Sequence, residues 1–347
     1  MEEDLGEGTM KKPQHILIIR LSAMGDVAMT MPVVYAFAKA YPETKITFLS
    51  KPFFEPIIKS IPNLHFVTAE TNGMHKGILG LRRLSRELKG LGITHVVDMH
   101  NVLRSKILRR FLGLPSASLD KGRSEKKALT RAKNKEFKAL KTTVQRYVEV
   151  LNEFGFKDLE PTTLPKPERN EAVLNFTGTD TKKLIGIAPF AAHQGKQYPL
   201  DLMQEVVDAL ANKTEIRLFL FGSPSEKQAI EKLVKGHKNC TNVAGNLNFK
   251  DELNLIAQLD AMLSMDSGNG HLAAMFGVPT ITLWGVTHPY AGFAPFGQEH
   301  CILSDREQYP LIPTSVYGNK IPEGYEKVME TIRPKTVVEA IENLILL

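Results

Sequence analysis

The chain has 347 residues, 43% of them hydrophobic and 24% charged, with a formal net charge of +6. That is the make-up of a globular protein long enough for two domains with separate cores, and it excludes a disordered, fibrous or membrane-spanning chain. No apolar stretch reaches the roughly 18 residues that a span needs, and the two cysteines, Cys240 and Cys301, have neither metal-ligand spacing nor partners for a disulfide framework, which suits a reducing compartment.

In chain order, residues 1–12 read as a tail: Glu2, Glu3, Asp4 and Glu7 stand where a signal peptide would have an apolar core, so a cytoplasmic protein is expected. Short β-branched runs then alternate with amphipathic stretches. Strands are expected at 15–20, 45–50, 65–68 and 94–99, and again at 184–189, 216–221, 242–244, 261–265 and 280–284. Helical patterns lie between them at 27–40, 79–89, 200–212 and 225–235. Strand and helix in alternation over both halves predict parallel sheets covered on both faces. The break falls at 160–183, where Pro161, Pro165 and Pro167 stiffen the chain ahead of a polar run. Two domains follow, 13–165 and 183–333, with an amphipathic helix at 334–347 as a candidate to pack back on the first.

Two loop-to-helix junctions carry the candidate chemistry. In the first, Ser22-Ala23-Met24-Gly25 is compact enough for a close approach of backbone to ligand, and Asp26 stands where a helix begins. Asp26 is either an N-cap or a general base at the carboxyl end of the first strand, where open α/β sheets bind ligands. In the second, Asp266-Ser267-Gly268-Asn269-Gly270-His271 opens the next helix, and its small residues leave amides uncovered for a diphosphate. Gly268-x-Gly270-x-x-Ala273 also matches a dinucleotide fingerprint, but no Asp or Glu occurs between Asp266 and Glu299 to hold a ribose, so a nicotinamide oxidoreductase is disfavoured. His271 on its own reads as a helix-start residue.

Lys196, in the loop after the first strand of the second half, is either a surface lysine or a point charge for a phosphate. Glu226, after the next strand, could hold ribose hydroxyls or favour the helix start beneath it. No Asp-x-Asp and no His/Cys cluster occurs, so no metal and no other cofactor is expected.

Three of these segments resemble the heptosyltransferases of glycosyltransferase family 9: ILIIRLSAMGDV with its following Met-Pro, the Lys-Gln-Tyr-Pro ending at Pro199, and DSGNGHLAAMFGVPTITLWGVTHP from Asp266 to Pro289. The resemblance implies an α/β GT-B fold, two Rossmann-like doubly wound parallel-sheet domains facing a central cleft. It also implies an inverting, metal-independent transfer of heptose from a nucleotide-diphosphate sugar, with ADP-heptose the expected donor, to the lipopolysaccharide inner core. Asp26 would be the base. Lys196, Ser267, Gly268 and the amides up to His271 would meet the donor phosphates, Asp266 would orient the donor, and Glu226 is a looser match. Ala191 and Ala192 stand where enterobacterial relatives have hydroxyl residues. A non-catalytic nucleotide-sugar-binding protein would not need Asp26.

Residues 121–146 hold ten Lys or Arg against Glu125 and Glu136. A solvated helix face is the bland reading of such a run, and nucleic acid is disfavoured by the absence of a binding motif. The reading preferred is an anionic partner: a phosphorylated glycolipid acceptor of the lipid A–Kdo type and the inner-membrane surface around it, with the protein peripheral on the cytoplasmic face. Lys121 and Arg123, which resemble the family's acceptor-side loop, are the expected phosphate contacts, with His100, Asn101 and Arg104 second.

Overall fold

The computed structural model describes residues 13–62, 64–178, 182–298 and 300–346; the expected tail 1–12 lies outside them. In chain order, the first half holds β1 (His15–Ile19), α1 (Met24–Ala40), β2 (Lys45–Ser50), α2 (Glu55–Ile58), β3 (His65–Thr68), α3 (Gly77–Lys89), β4 (His95–Asp98), α4 (Leu103–Leu112), β5 (Ser116–Ser118), α5 (Arg123–Thr130) and α6 (Thr143–Asn152). The second holds α7 (Glu171–Thr177), β6 (Lys183–Ala188), α8 (Leu200–Ala211), β7 (Ile216–Leu220), α9 (Lys227–Val234), β8 (Cys240–Asn242), α10 (Phe249–Ala257), β9 (Ala261–Met265), α11 (Gly268–Met275), β10 (Thr280–Trp284), β11 (Cys301–Leu303) and α12 (Pro334–Leu346).

The strands form two sheets, ordered β3-β2-β1-β4-β5 and β11-β10-β9-β6-β7-β8, with every pairing parallel. Both are doubly wound. The winding reverses between β1 and β4 in one sheet and between β6 and β9 in the other, and such reversal points open a ligand crevice beyond the strands' carboxyl ends. The run Ile16-Leu17-Ile18-Ile19 is wholly buried, as a parallel strand covered on both faces must be. In register, Ile16 stands between Ile46 of β2 and His95 of β4.

The chain divides into two compact units whose borders do not follow the proline-rich break. One comprises the chain up to Ser22, Val33–Asp120 and Gln145–Thr162; the other comprises Ala23–Pro32, Lys121–Val144 and everything from Thr163. The first is built around Leu17, Ile19, Leu49, Leu84, Leu88 and Leu108. In the second, Ile187, Val206, Leu218 and Leu263 share a core with Val337 and Ile341 of α12. The last helix therefore belongs to the second unit, contrary to the expectation that it packs back on the first domain. Its apolar face is taken up by this core, and Glu342 pairs with Lys213 just beyond α8 at 2.6 Å.

The basic stretch Lys121–Val144 also falls in the second unit, where sequence order had placed it in the first. Main-chain bonds fasten it there: Leu140 N donates to Tyr290 O at 2.9 Å and Thr143 N to Gly292 O at 2.8 Å. Side chains add to them. Lys135 Nζ donates to Leu129 O and to Pro313 O (2.9 and 2.7 Å), the Arg306 guanidinium lies 3.4 Å over the Phe137 ring, and Lys126 Nζ lies 4.1 Å over Phe293. Within 160–183, read as linker, α7 forms because Asn170 Oδ1 accepts from Val173 N at 2.9 Å and supplies a cap.

Candidate functional site

Lys196 and Asp266 come from the loops that leave β6 and β9, the two strands flanking the reversal point of the second sheet. Lys196 closes a single 3₁₀ turn, Gln194–Lys196. Gln197 staples that loop: its Oε1 accepts from Ala191 N (3.0 Å), and its Nε2 donates to Pro189 O (2.6 Å) and to Tyr198 O (3.2 Å). The stem of Lys196 runs over Gly318, whose φ of +79° and lack of a side chain give it room; a Cβ there would sit 2.5 Å from Lys196 Cγ. So guided, the ammonium reaches Asp266 twice, at 2.9 Å to Oδ2 and at 3.1 Å to the main-chain oxygen. Asp266 is only 7% exposed, so this is a buried ion pair rather than the surface lysine of the bland reading.

Next to the pair, α11 begins without a side-chain cap. Ser267 stands at its N-cap position but makes no cap bond, and its Oγ is buried without a hydrogen-bond partner. His271 Nδ1 is buried without one too. An uncapped helix start leaves N–H donors unpaired and suits an anion. Burial pushes the His271 imidazole below its usual range against the pull of the Asp266 and Asp26 carboxylates, with Lys196 adding to the depression, so the ring is neutral at pH 7.

The two junctions, about 240 residues apart in sequence, meet inside this unit. A Cβ on Gly25 would stand 2.7 Å from His271 Cδ2 and 3.4 Å from Gly268 Cα, and one on Gly268 would stand 2.5 Å from Met24 Cε. Both glycines are there because two backbones pass at contact distance. Asp26 lies in the first turn of α1 and is half-buried. Its Oδ2 accepts from Ala23 N, three residues back, at 3.2 Å, whereas an N-cap would accept from an amide further on.

The remaining candidates are spread more widely. Glu226 is spent on its own turn: its Oε2 accepts from Ser223 N (2.6 Å) and Ser223 Oγ (2.8 Å), the helix-start reading of this residue. Lys121 and Arg123 flank Gly122, whose φ of +57° opens α5 in the second unit; Arg123 is exposed and Lys121 half-buried. His100 and Arg104 belong to the first unit, after β4. There Asp98 Oδ1 accepts from His100 N (3.0 Å) and Asn101 N (2.8 Å), and Arg109 lies 3.1 Å from Asp98 Oδ2. Asn101 has a φ of +45°, in the left-handed region that asparagine tolerates better than other residues with a side chain.

Sequence reasoning missed the Lys196–Asp266 pair and a second cluster of rings. Phe137, His288 and Tyr290 touch one another, with centroids 4.4–5.1 Å apart, under Arg306. Burial, then the Arg306 charge, pushes His288 down to about 4. Its folded pKa thus lies below the unfolded value near 6.5, and the unfolded chain binds the extra proton between the two. Stability from this group is full above pH 6.5 and is lost as pH falls towards 4, by on the order of 3 kcal/mol. Glu252, raised by burial to about 7, acts in the opposite sense, favouring the fold below pH 4.5 and losing that advantage as pH rises through 7. The expected result therefore concerns a difference: the stability gap between the wild type and His288→Asn narrows as pH is lowered from 7 to 4.5 in denaturant titrations. A gap constant with pH would contradict it.

The sequence pattern of glycosyltransferase family 9 (heptosyltransferase) matches residues 81–316. The chain is 27% identical over 309 residues to the lipopolysaccharide core heptosyltransferase OpsX of Haemophilus influenzae, covering 85% of this chain and 86% of that protein. It is 24% identical over 350 residues to lipopolysaccharide heptosyltransferase 2 of Salmonella typhimurium, covering 95% and 98%. Among solved structures, the fold is shared with a family 9 glycosyl transferase of Veillonella parvula (TM-score 0.77, 21% identity, 96% of this chain and 97% of that one). It is also shared with the E. coli ADP-heptose LPS heptosyltransferase II (TM-score 0.73, 20% identity, 96% and 98%). Two doubly wound parallel-sheet units make this a GT-B architecture, and with the pattern matched over most of its length the chain belongs to glycosyltransferase family 9 and is a glycosyltransferase.

Proposed function

We propose that the protein transfers a heptose from ADP-heptose to the inner core of lipopolysaccharide, with inversion at the anomeric carbon and without a metal. The observation that carries this reading is the contact of the Asp26 junction with the start of α11 through Gly25, Gly268 and His271. A carboxylate and an uncapped helix start side by side are what the reaction needs: a base for the acceptor and a set of donors for the leaving group.

In this mechanism Asp26 takes the acceptor hydroxyl proton as that oxygen bonds to C1 of the sugar. The C1–phosphate bond breaks on the opposite face, and its electron pair leaves on the diphosphate. The α11 amides, Ser267 Oγ and Lys196 meet the charge that accumulates there. Asp266 keeps Lys196 aimed until the diphosphate arrives. His271, neutral and packed on Gly25, shapes the junction and does not move the proton. Lys121 and Arg123 meet acceptor phosphates. The exposed cations Lys127, Arg131, Lys133, Lys138 and Lys141 face the anionic membrane surface that carries the acceptor. Among the described residues, no helix is long and apolar enough to cross a membrane, which fits peripheral attachment.

Thermal unfolding with ADP, UDP, GDP and NAD, each with and without EDTA, tests the donor assignment. A ligand at a hundred times its dissociation constant adds about 2.7 kcal/mol to stability. Stabilisation by ADP, unchanged by EDTA, is expected; stabilisation by NAD alone would restore an oxidoreductase.

A further inference from the structure

The first unit has a cavity that this chemistry does not use. Its volume is 530 Å³, and it lies at the amino ends of β1, β2 and β3, whereas the loops of the reaction leave the carboxyl ends. The size falls within the range of small-molecule sites. Ile46, Leu64, Leu91 and Ala38 give it apolar walls, while His15, Lys45 and His65 line it with nitrogen; no carboxylate is among the described lining residues.

The nitrogens are ordered by a hydrogen-bond chain. His15 Nε2 lies 2.8 Å from the hydroxyl of Thr47, which is fully buried, and that hydroxyl lies 3.2 Å from His65 Nδ1. The single hydroxyl hydrogen of Thr47 can serve only one of the two rings, so Thr47 donates to at most one imidazole and accepts from the other. With Nδ1 taken up by Thr47, His65 Nε2 is the ring nitrogen left for a ligand. Lys45 and His65 each act on His15 as like charges and, with burial the larger cause, keep it neutral. Among the described residues no carboxylate pairs with Lys45 or His65, so the cavity is electropositive without an internal counter-ion.

We propose that this cavity binds a small organic anion, a phosphomonoester or carboxylate head on an apolar body of about one ring, with Lys45 and His65 gripping the head and the apolar walls taking the body. A phosphomonoester suits His65 in either state, since it can offer a proton to Nε2 or accept one from it.

The test follows the imidazole resonances of the full chain by NMR, with phenyl phosphate, inorganic phosphate and phenol as probes. Phenyl phosphate should shift the His65 and His15 signals saturably. Inorganic phosphate should bind about tenfold more weakly for want of the ring, and phenol should not bind. The double variant Lys45→Ala/His65→Gln should lose at least about tenfold in phenyl phosphate affinity, read by unfolding temperature, while sugar transfer stays unchanged. No saturable shift, equal affinity for inorganic phosphate, or undiminished binding by the double variant would each overturn the site. Sedimentation with phosphatidate vesicles separates the two sources of such a head: vesicle binding competed by phenyl phosphate assigns the site to a lipid, and its absence to a soluble ester.

Discussion

Replacing Asp26 with asparagine is expected to lower turnover by about 10²–10⁴-fold, the usual worth of a positioned general base, while leaving donor affinity nearly intact. The substitution is isosteric. Asp26 Oδ2 accepts from Ala23 N, and an amide oxygen can accept the same bond, so the start of α1 keeps its geometry. No volume is added against Gly25 or His271, which the junction could not absorb. An amide cannot take a proton. Single-turnover measurements read the chemical step, and a calorimetric titration with donor reads affinity. Loss of affinity together with rate would move Asp26 from base to binding residue, and normal turnover would remove it from the mechanism.

Lys196→Ala is expected to damage both stability and catalysis, and a second variant separates the two. Lys196 is the ammonium partner of Asp266 Oδ2, and the carboxylate is 7% exposed. Removing one member of a buried pair leaves an uncompensated charge, at a cost of about 3–5 kcal/mol. Turnover should fall by about 10²–10³-fold, the usual loss when one preorganised donor to a developing anion is removed, and donor affinity should fall with it. In Lys196→Ala/Asp266→Asn the stranded charge is gone, so most of the stability should return while turnover and donor affinity stay low. Recovery of both in the double variant would mean that Lys196 serves only the fold.

Much of this arrangement could be read from the residues before any coordinates. The central strands were legible because β1, β6, β9 and β10 are apolar runs five or six residues long, buried on both faces by the helices of a parallel sheet. β5 and β11 were not. Ser116–Ser118 and Cys301–Leu303 are three-residue edge strands with no hydrophobic period, and what makes them strands is the neighbour each pairs with. Helix α7 could have been found, since Asn170 followed by Glu171 is a helix-start signature, but the prolines ahead of it outweighed the cap.

The same division holds for the site. Asp26, Lys196 and the Asp266 loop stood out because each follows a strand's carboxyl end among small residues. Their mutual contact did not, because packing of Gly25 on His271 and pairing across 70 residues are tertiary facts. The basic run was visible as charge, but its attachment was not. The bonds of Lys135 to Pro313 and of Leu140 to Tyr290 are made by unremarkable residues distant in sequence. Lys126, which composition alone counts as one more solvent-facing cation, is turned inward over Phe293 and is 9% exposed.

The most direct test of the account is a transfer assay with ADP-heptose and a heptose-free lipopolysaccharide acceptor in the presence of EDTA, following ADP release and the mass of the acceptor. The account predicts one heptose added for each ADP released, at an undiminished rate with the chelator present. ADP-heptose left intact, or a rate abolished by EDTA and restored by a divalent metal, would contradict it.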